Sequence, residues 1–245
     1  QEVLGFGFPF FGAISSDHFK YKHMSQIYQK QVLQKTMTGL LIGGARIFSA
    51  SSHGYKPLGK PRHITHSLNN IIHTINDQPA INIYKEFLGP QADALSHKTM
   101  LPQNILYPLG IFWEEQGVYL LKNAVDILDD GSIVCQGDIP QGAEVHLMIG
   151  NRDTCKNSAI EAANKIKEAL GGRQAKLLFL IEGASRHKIL RNNAFMEIQS
   201  IKDILGYTTP LIGMTTFGEI MPIGKIGNVN NIQIQNQSML ILAID

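Results

Sequence analysis

The side chains in this chain that are suited to chemistry are few and scattered. In PLIGMTTFGEI, Pro210 to Ile220, one carboxylate, Glu219, follows a threonine pair and a glycine, and Gly213 and Gly218 stand five positions apart. A Glu in that setting can close a turn by accepting backbone N–H bonds, or it can face the ammonium or hydroxyl group of a ligand. Because glycine chiefly licenses an unusual backbone, the spacing by itself favours a tight, close-packed turn between strands. Gly183-Ala-Ser-Arg186 follows the apolar run Lys176 to Ile181, at a point where a chain leaves a sheet and where ligands are often held. Arg186 can clamp a carboxylate or phosphate bidentately, or pair with Glu182 or Glu197 at the surface, where such pairs are common and weak. Cys155 lies near a helix start, which favours a thiolate, yet no histidine stands near it in sequence. Near the N-terminus LGFGFPFFGAISSD, Leu4 to Asp17, has the rhythm of the later stretch without its acid: Gly12-Ala13-Ile14 stands where the other has Gly218-Glu219-Ile220.

Other chemistries find no support. The nine histidines include His63 and His66, three apart, and His18 and His23, five apart, but no Glu or Cys completes a ligand set around either pair, so no metal is expected. Gly5-Phe-Gly7 followed by Gly12 misses the dinucleotide spacing and there is no P-loop, so no nucleotide cofactor is expected either. The 245 residues are 44% apolar and 17% charged with a formal net charge of +2, an ordinary globular balance. Basic residues are spread rather than clustered, which gives no footprint for nucleic acid or an anionic membrane. The longest apolar runs, LLIGG and MLILAI, fall far short of the roughly 20 residues a bilayer span needs. The two cysteines, Cys135 and Cys155, are too few for a disulfide framework, and a soluble protein of the reducing cytoplasm is expected. The chain opens on Gln1 and runs at once into apolar Val3 to Phe11 with no basic segment, which reads as a fragment or processed product.

The elements that must position these groups are of both kinds. Gly39 to Ala45 reads as a short buried strand, Gly54 to Gly59 as a turn, and Pro61 to Ser67 as strand or loop. Asn69 to Asp77 suits either a strand pair with an Asn76-Asp77 turn or a short helix, and Ala80 to Leu88 has the spacing of one helical face. The polar stretch 90–104, with prolines at its edges, is the candidate linker, and divides the chain into 1–89 and 105–245. Beyond it Tyr119 to Leu128 and Ile133 to Cys135 form strands across an Asp129-Asp130-Gly131-Ser132 hairpin turn, and Glu144 to Gly150 another strand. A helix over Ala159 to Leu170, capped by Asp153 or Thr154, buries Ile160, Ala163, Ile166 and Leu170 and ends at Gly171-Gly172. A second helix, Asn193 to Leu205, and a last strand, Met239 to Ile244, follow. Strands and helices mix without regular alternation, which predicts an α+β fold, a layered sandwich of mixed, largely antiparallel sheets flanked by helices.

The order of these pieces resembles a known family. Ile212 to Ile220, then Asn236-Gln237-Ser238 ahead of MLILAI, is similar to the ending of the FIST C-terminal domain. The resemblance extends back through Leu178 to Arg186, Glu197, Ile139-Pro140-Gln141-Gly142, Asp130-Gly-Ser132 and Pro108-Leu109-Gly110. Earlier still, His53-Gly54-Tyr55-Lys56-Pro57-Leu58-Gly59, Thr65 and Pro79-Ala80-Ile81-Asn82-Ile83-Tyr84 resemble the later part of the FIST N-terminal domain. The resemblance makes 1–89 the C-terminal part of a truncated FIST N-terminal domain and 105–245 a FIST C-terminal domain. It implies an intracellular sensory and signal-transduction module that binds a small ligand, an amino acid being the candidate, and passes a signal to an output domain or signalling partner protein. Glu219, Arg186, Ser185, Thr215, Thr216, Gly213 and Gly218 are then the expected lining of the pocket, with the Glu and the Arg meeting the two charged ends of an amino acid. Two departures stand out: Lys122 where the family tends to have Arg, a point charge in place of a planar fork, and Gly183 where it often has Cys. Two other classes compete. A protein interaction scaffold predicts a sizeable exposed apolar patch and no convergent polar pocket. A hydrolase using Ser185 or Cys155 needs a base within reach, and the sequence shows no catalytic set.

Overall fold

The computed structural model describes residues 8–17, 22–89, 105–223 and 231–245; the candidate linker 90–104, His18 and Gly5 to Gly7 lie outside the described residues. The chain order is β1 (Gly12–Ser15), β2 (Ser25–Tyr28), β3 (Gln31–Gln34), β4 (Ile47–Ser52), β5 (Lys56–Leu68), β6 (Ile71–Ile75), β7 (Gln78–Pro79), α1 (Asn82–Leu88), β8 (Leu109–Trp113), β9 (Val118–Lys122), β10 (Ala124–Ile127), β11 (Ile133–Cys135) and β12 (Glu144–Ile149). Then come α2 (Arg152–Leu170), β13 (Leu177–Gly183), α3 (Ala184–Leu190), a single 3-10 turn, α4 (Phe195–Leu205), β14 (Leu211–Pro222), β15 (Ile232–Gln235) and β16 (Met239–Ile244). This is the expected α+β fold. No helix among the described residues is long and apolar enough to cross a membrane.

Contacts divide the chain into two compact units: residues 54–154 form one, and residues 1–53 and 155–245 together form the other. The first holds an antiparallel sheet in the order β10-β11-β6-β5-β12-β8-β9, with β7 beside β6. Its long strand β5 takes in Lys56 to Gly59 of the stretch Gly54–Gly59, expected as a turn, and all of Pro61–Ser67. The turn signals here make an irregularity within a strand: Gly59 holds φ 76, and the register against β12 shifts between Leu58 and Arg62. Asn69 to Asp77 resolves as strand β6 followed by a turn in which Asn76 and Asp77 take φ 48 and 60.

The second unit is built on a mixed sheet, β1-β14-β13-β16-β4, with β15 also on β14; β13 and β14 run parallel and the other pairs antiparallel. Strand alternation divides its apolar residues between two faces. Leu178 and Leu180 of β13 and Met239, Ile241 and Ala243 of β16 meet Ala159, Ala162, Ala163, Ile166 and Leu170 of α2 and Ile201 of α4. Ile181, Leu240 and Leu242 turn to the opposite face. The helix stripe takes in Ala163, Ile166 and Leu170 as expected and adds Ala159 and Ala162, while Ile160 is only half buried. Helix α2 also starts earlier than the sequence signals suggest. Thr154 N–H donates to Asn151 Oδ1 at 2.9 Å while Asn151 N–H donates to Thr154 Oγ1 at 2.8 Å, a reciprocal cap with Asn151 in the capping position. Gly39 to Ala45, expected as a buried strand, is irregular and exposed: three consecutive apolar residues between glycines satisfied the pattern of a strand without a partner to pair with.

Candidate functional site

PLIGMTTFGEI is not a turn. All but its proline belongs to β14, which runs from Leu211 to Pro222 between neighbours on both sides. Its glycines serve close approach instead: a Cβ at Gly213 would stand 2.8 Å from Leu180 O, and one at Gly218 2.9 Å from Ile14 Cδ1. On one side β13 pairs Glu182 with Thr215 and Gly183 with Thr216; on the other β1 pairs Ser15 with Thr216, Ile14 with Gly218 and Ala13 with Glu219.

Glu219 is fully buried and held by three donors. Thr216 Oγ1 donates to Oε1 at 2.8 Å, and Ser238 donates to Oε2 through its backbone N–H at 3.0 Å and its hydroxyl at 2.6 Å. Burial nevertheless pushes the carboxyl up to about 7, against the pull of the Ser238 and Thr216 bonds and the charge of Arg186. Both hydroxyls can turn. Thr216 Oγ1 lies 3.3 Å from Glu182 O, a second acceptor it can donate to when Glu219 is protonated. The cradle therefore accommodates both protonation states.

Arg186, in the first turn of α3, is the largest fully buried side chain of the described residues. Nη2 donates to Cys155 O at 2.8 Å, to Ser158 Oγ at 2.9 Å and, in a very short contact, to Glu197 Oε1 on α4. Nη1 donates to His53 O at 3.3 Å and Gln237 O at 3.4 Å, and Nε is left without an acceptor. The pairing with Glu197 weighed from sequence is present, but in the interior rather than at the surface. Burial opposes the guanidinium charge, and Glu197, Cys155 and Glu182 together outweigh it and raise its pKa.

Glu182 extends the cluster outward. Its Oε2 lies 3.2 Å from His187 Nε2 on the half-exposed side of α3, while its Oε1 and Glu197 Oε2 are both buried without a donor. The two carboxyls influence each other's titration. Burial first, and then the neighbouring Glu182 charge, hold Glu197 well above the usual carboxyl range despite Arg186. Burial opposes ionisation of Glu182 as well, but the His187 bond, the Glu197 bond and Arg186 outweigh it and bring Glu182 below that range. His187, Glu182, Glu197 and Arg186 then form one chain from the surface to the core.

Of the residues expected to line a pocket, Glu219 and Thr216 touch, and Arg186 reaches Glu219 through its charge. Ser185 is buried beside Arg186 at the start of α3. Thr215 and Gly213 lie on the exposed half of β14, Gly213 about 20 Å along the strand from Glu219. Glu182, weighed from sequence only as a surface partner of Arg186, joins the cluster, as do Ser238 and Gln237, for which the Asn236-Gln237-Ser238 stretch was the available signal. Cys155 contributes its carbonyl. Its thiol is buried and burial pushes it up to about 11, unlike an activated nucleophile, whatever the nearby Arg186 offers. Among the described residues no group of three or more His, Cys, Asp and Glu is placed to hold a metal ion.

Comparison with protein-family models places the chain in a family. The FIST C domain matches residues 80–222 and the FIST N domain residues 1–78. The chain belongs to the FIST family, whose domains are sensory signal-transduction domains. No curated protein and no solved structure matches it. Both departures from the family pattern are buried. Lys122 is enclosed in the sheet of residues 54–154, and burial pulls its ammonium down against the opposing influence of Cys135 and Asp138. At Gly183 a Cβ would stand 2.7 Å from Gln237 Cα, so this chain has closed the space a cysteine would fill.

Proposed function

We propose that the chain is the sensing part of a signalling protein, that its ligand is small and carries a carboxylate, with an amino acid the candidate, and that Glu219 and Arg186 answer its arrival. The observation that carries the reading is the buried cluster. One arginine with Glu197, Glu182 and Glu219 sits inside a unit whose apolar core is complete without it, and buried charges cost more in desolvation than they return unless fully paired. A group held near its titration point in a cradle that fits both forms changes state under a small perturbation. Strand β14 joins Glu219, Gly218 and Thr216 to Thr215 and Gly213 on its exposed half, and Ser185 and Arg186 follow its neighbour β13; these are the proposed ligand-responsive residues. The test is a thermal-shift screen of the full chain against amino acids and small carboxylates, since a ligand that binds the folded state raises its melting temperature. A shift from one compound class, reduced in Glu219→Gln, is expected. A flat screen, or a shift that Glu219→Gln leaves unaltered, contradicts the reading.

A second reading, an interaction scaffold, is favoured by one observation. Met37, Leu40, Leu41, Ile27 and Val32 are each at least 70% exposed on the β2–β3 hairpin and the segment after it. Such a surface suits an output domain or signalling partner protein. Replacing Leu40 and Leu41 by Lys abolishes partner capture under this reading and leaves ligand-induced stabilisation intact under the first.

A further inference from the structure

Strand β1 has a second side to its role. It pairs with the buried half of β14, and its residues Ala13, Ile14 and Ser15 also form one wall of a cavity of about 300 Å³, closed by the β2–β3 hairpin and its flanks. The cavity has a cationic mouth: among the described residues Lys22 and Lys35 line it beside His23, and no acidic side chain does. Lys22 and Lys35 are exposed, and the wall they rise from is fixed, because Asp17 Oδ2 accepts the backbone N–H of Lys22 at 2.7 Å and of His23 at 3.0 Å. Its inner wall is apolar, made by Ala13, Ile14 and Met24. Gln26 adds a polar group with capacity to spare: its Nε2 donates to Ser15 Oγ at 3.1 Å, while its Oε1 is buried with no partner.

We infer that this cavity is a binding site for a small organic carboxylate with a short apolar body, its carboxylate at Lys22 and Lys35 and its body against Ala13, Ile14 and Met24. The inference rests on the sensory reading, which it deepens by placing the ligand. Two ammoniums without an acid between them select an anion, and the apolar wall selects against a bare inorganic one. The volume fits a molecule of amino-acid size. An occupant pressing on β1 bears on the strand whose Ala13 and Ile14 are paired with Glu219 and Gly218, so the cavity and the buried cluster share one pair of strands.

Calorimetric titration of the full chain with isovalerate, leucine, isoamylamine and inorganic phosphate tests this. Isovalerate and leucine bind, and isoamylamine, the same apolar body without the carboxylate, does not. Lys22→Ala and Lys35→Ala each weaken isovalerate by about tenfold, the loss of one charge-assisted bond, at an unchanged melting temperature because both side chains are exposed. Glu219→Gln, outside the cavity, binds isovalerate more weakly than the unaltered chain but keeps more affinity than either lysine variant. Unaltered affinity in both lysine variants overturns the inference; if affinity is lost instead in Glu219→Gln, the ligand sits at the buried cluster and the sensory reading survives. Phosphate binding that excludes isovalerate overturns the carboxylate assignment. If neither isovalerate nor leucine binds, the inference is wrong, and the sensory reading falls with it only if the wider thermal-shift screen is flat.

Discussion

Glu219 is a carboxyl that the fold surrounds with donors and still holds near neutrality, because burial outweighs three hydrogen bonds. A carboxyl raised in the folded state favours folding while it stays protonated. Its contribution is complete below its ordinary value of 4.5, shrinks as the unfolded chain ionises, and is gone once the pH passes about 7. Glu197, also raised, acts in the same sense, and so does His187, whose bond to Glu182 lifts its pKa and whose contribution is lost as the pH rises through that lifted value. Glu182 is lowered and acts oppositely, contributing above its ordinary range and losing that contribution only on acidification. Urea midpoints are therefore expected to be higher at pH 5.5 than at pH 8, and Glu219→Gln, neutral throughout, is expected to narrow that difference; an unchanged difference places the titration elsewhere. At Gly183 the expectation is steric. Adding one methyl 2.7 Å from Gln237 Cα forces backbone to move, so Gly183→Ala is expected to cost roughly 1–3 kcal/mol in chemical denaturation. Both residues were visible in the sequence as Glu219 after a glycine and Gly183 before Ser185, but their burial was not. Spacing records neighbours along one strand, and what encloses Glu219 is Ser238, 19 residues later and folded back beside it.

At the scale of elements, the cluster is a fastening. Glu182 closes β13, Arg186 opens α3 and Glu197 lies on α4, so the Arg186–Glu197 pair ties a helix to the strand edge it packs beside. Removing one partner leaves the other charge buried. Glu197→Ala is expected to cost about 3–5 kcal/mol, measured by urea denaturation, whereas Glu197→Gln, which keeps an acceptor for Arg186 and a donor for Glu182, is expected to cost less. Equal costs would mean that packing rather than the polar pair holds α4. Many of the described helices and strands beyond residue 105 were readable from periodicity, α2 and β16 among them. What misled were glycines and prolines: in β14 and β5 they sit inside strands, where a parallel neighbour or a bulge needs them, and around Leu40 to Ile42 they bound an apolar run that pairs with nothing.

At the scale of the molecule, sensing requires that an event at one place alter another. The unit formed by residues 1–53 and 155–245 contains a cationic cavity on one side of β1 and a titrating cluster on the strand paired with it. If ligand binding shifts that cluster, it must take up or release protons near neutral pH. The most direct measurement is the heat of binding at pH 7 of the compound that raises the melting temperature most, titrated in two buffers of different ionisation enthalpy. Heats that differ between the buffers, by an amount that falls in Glu219→Gln, are the predicted result; equal heats in the two buffers would contradict the coupling of ligand to the buried cluster.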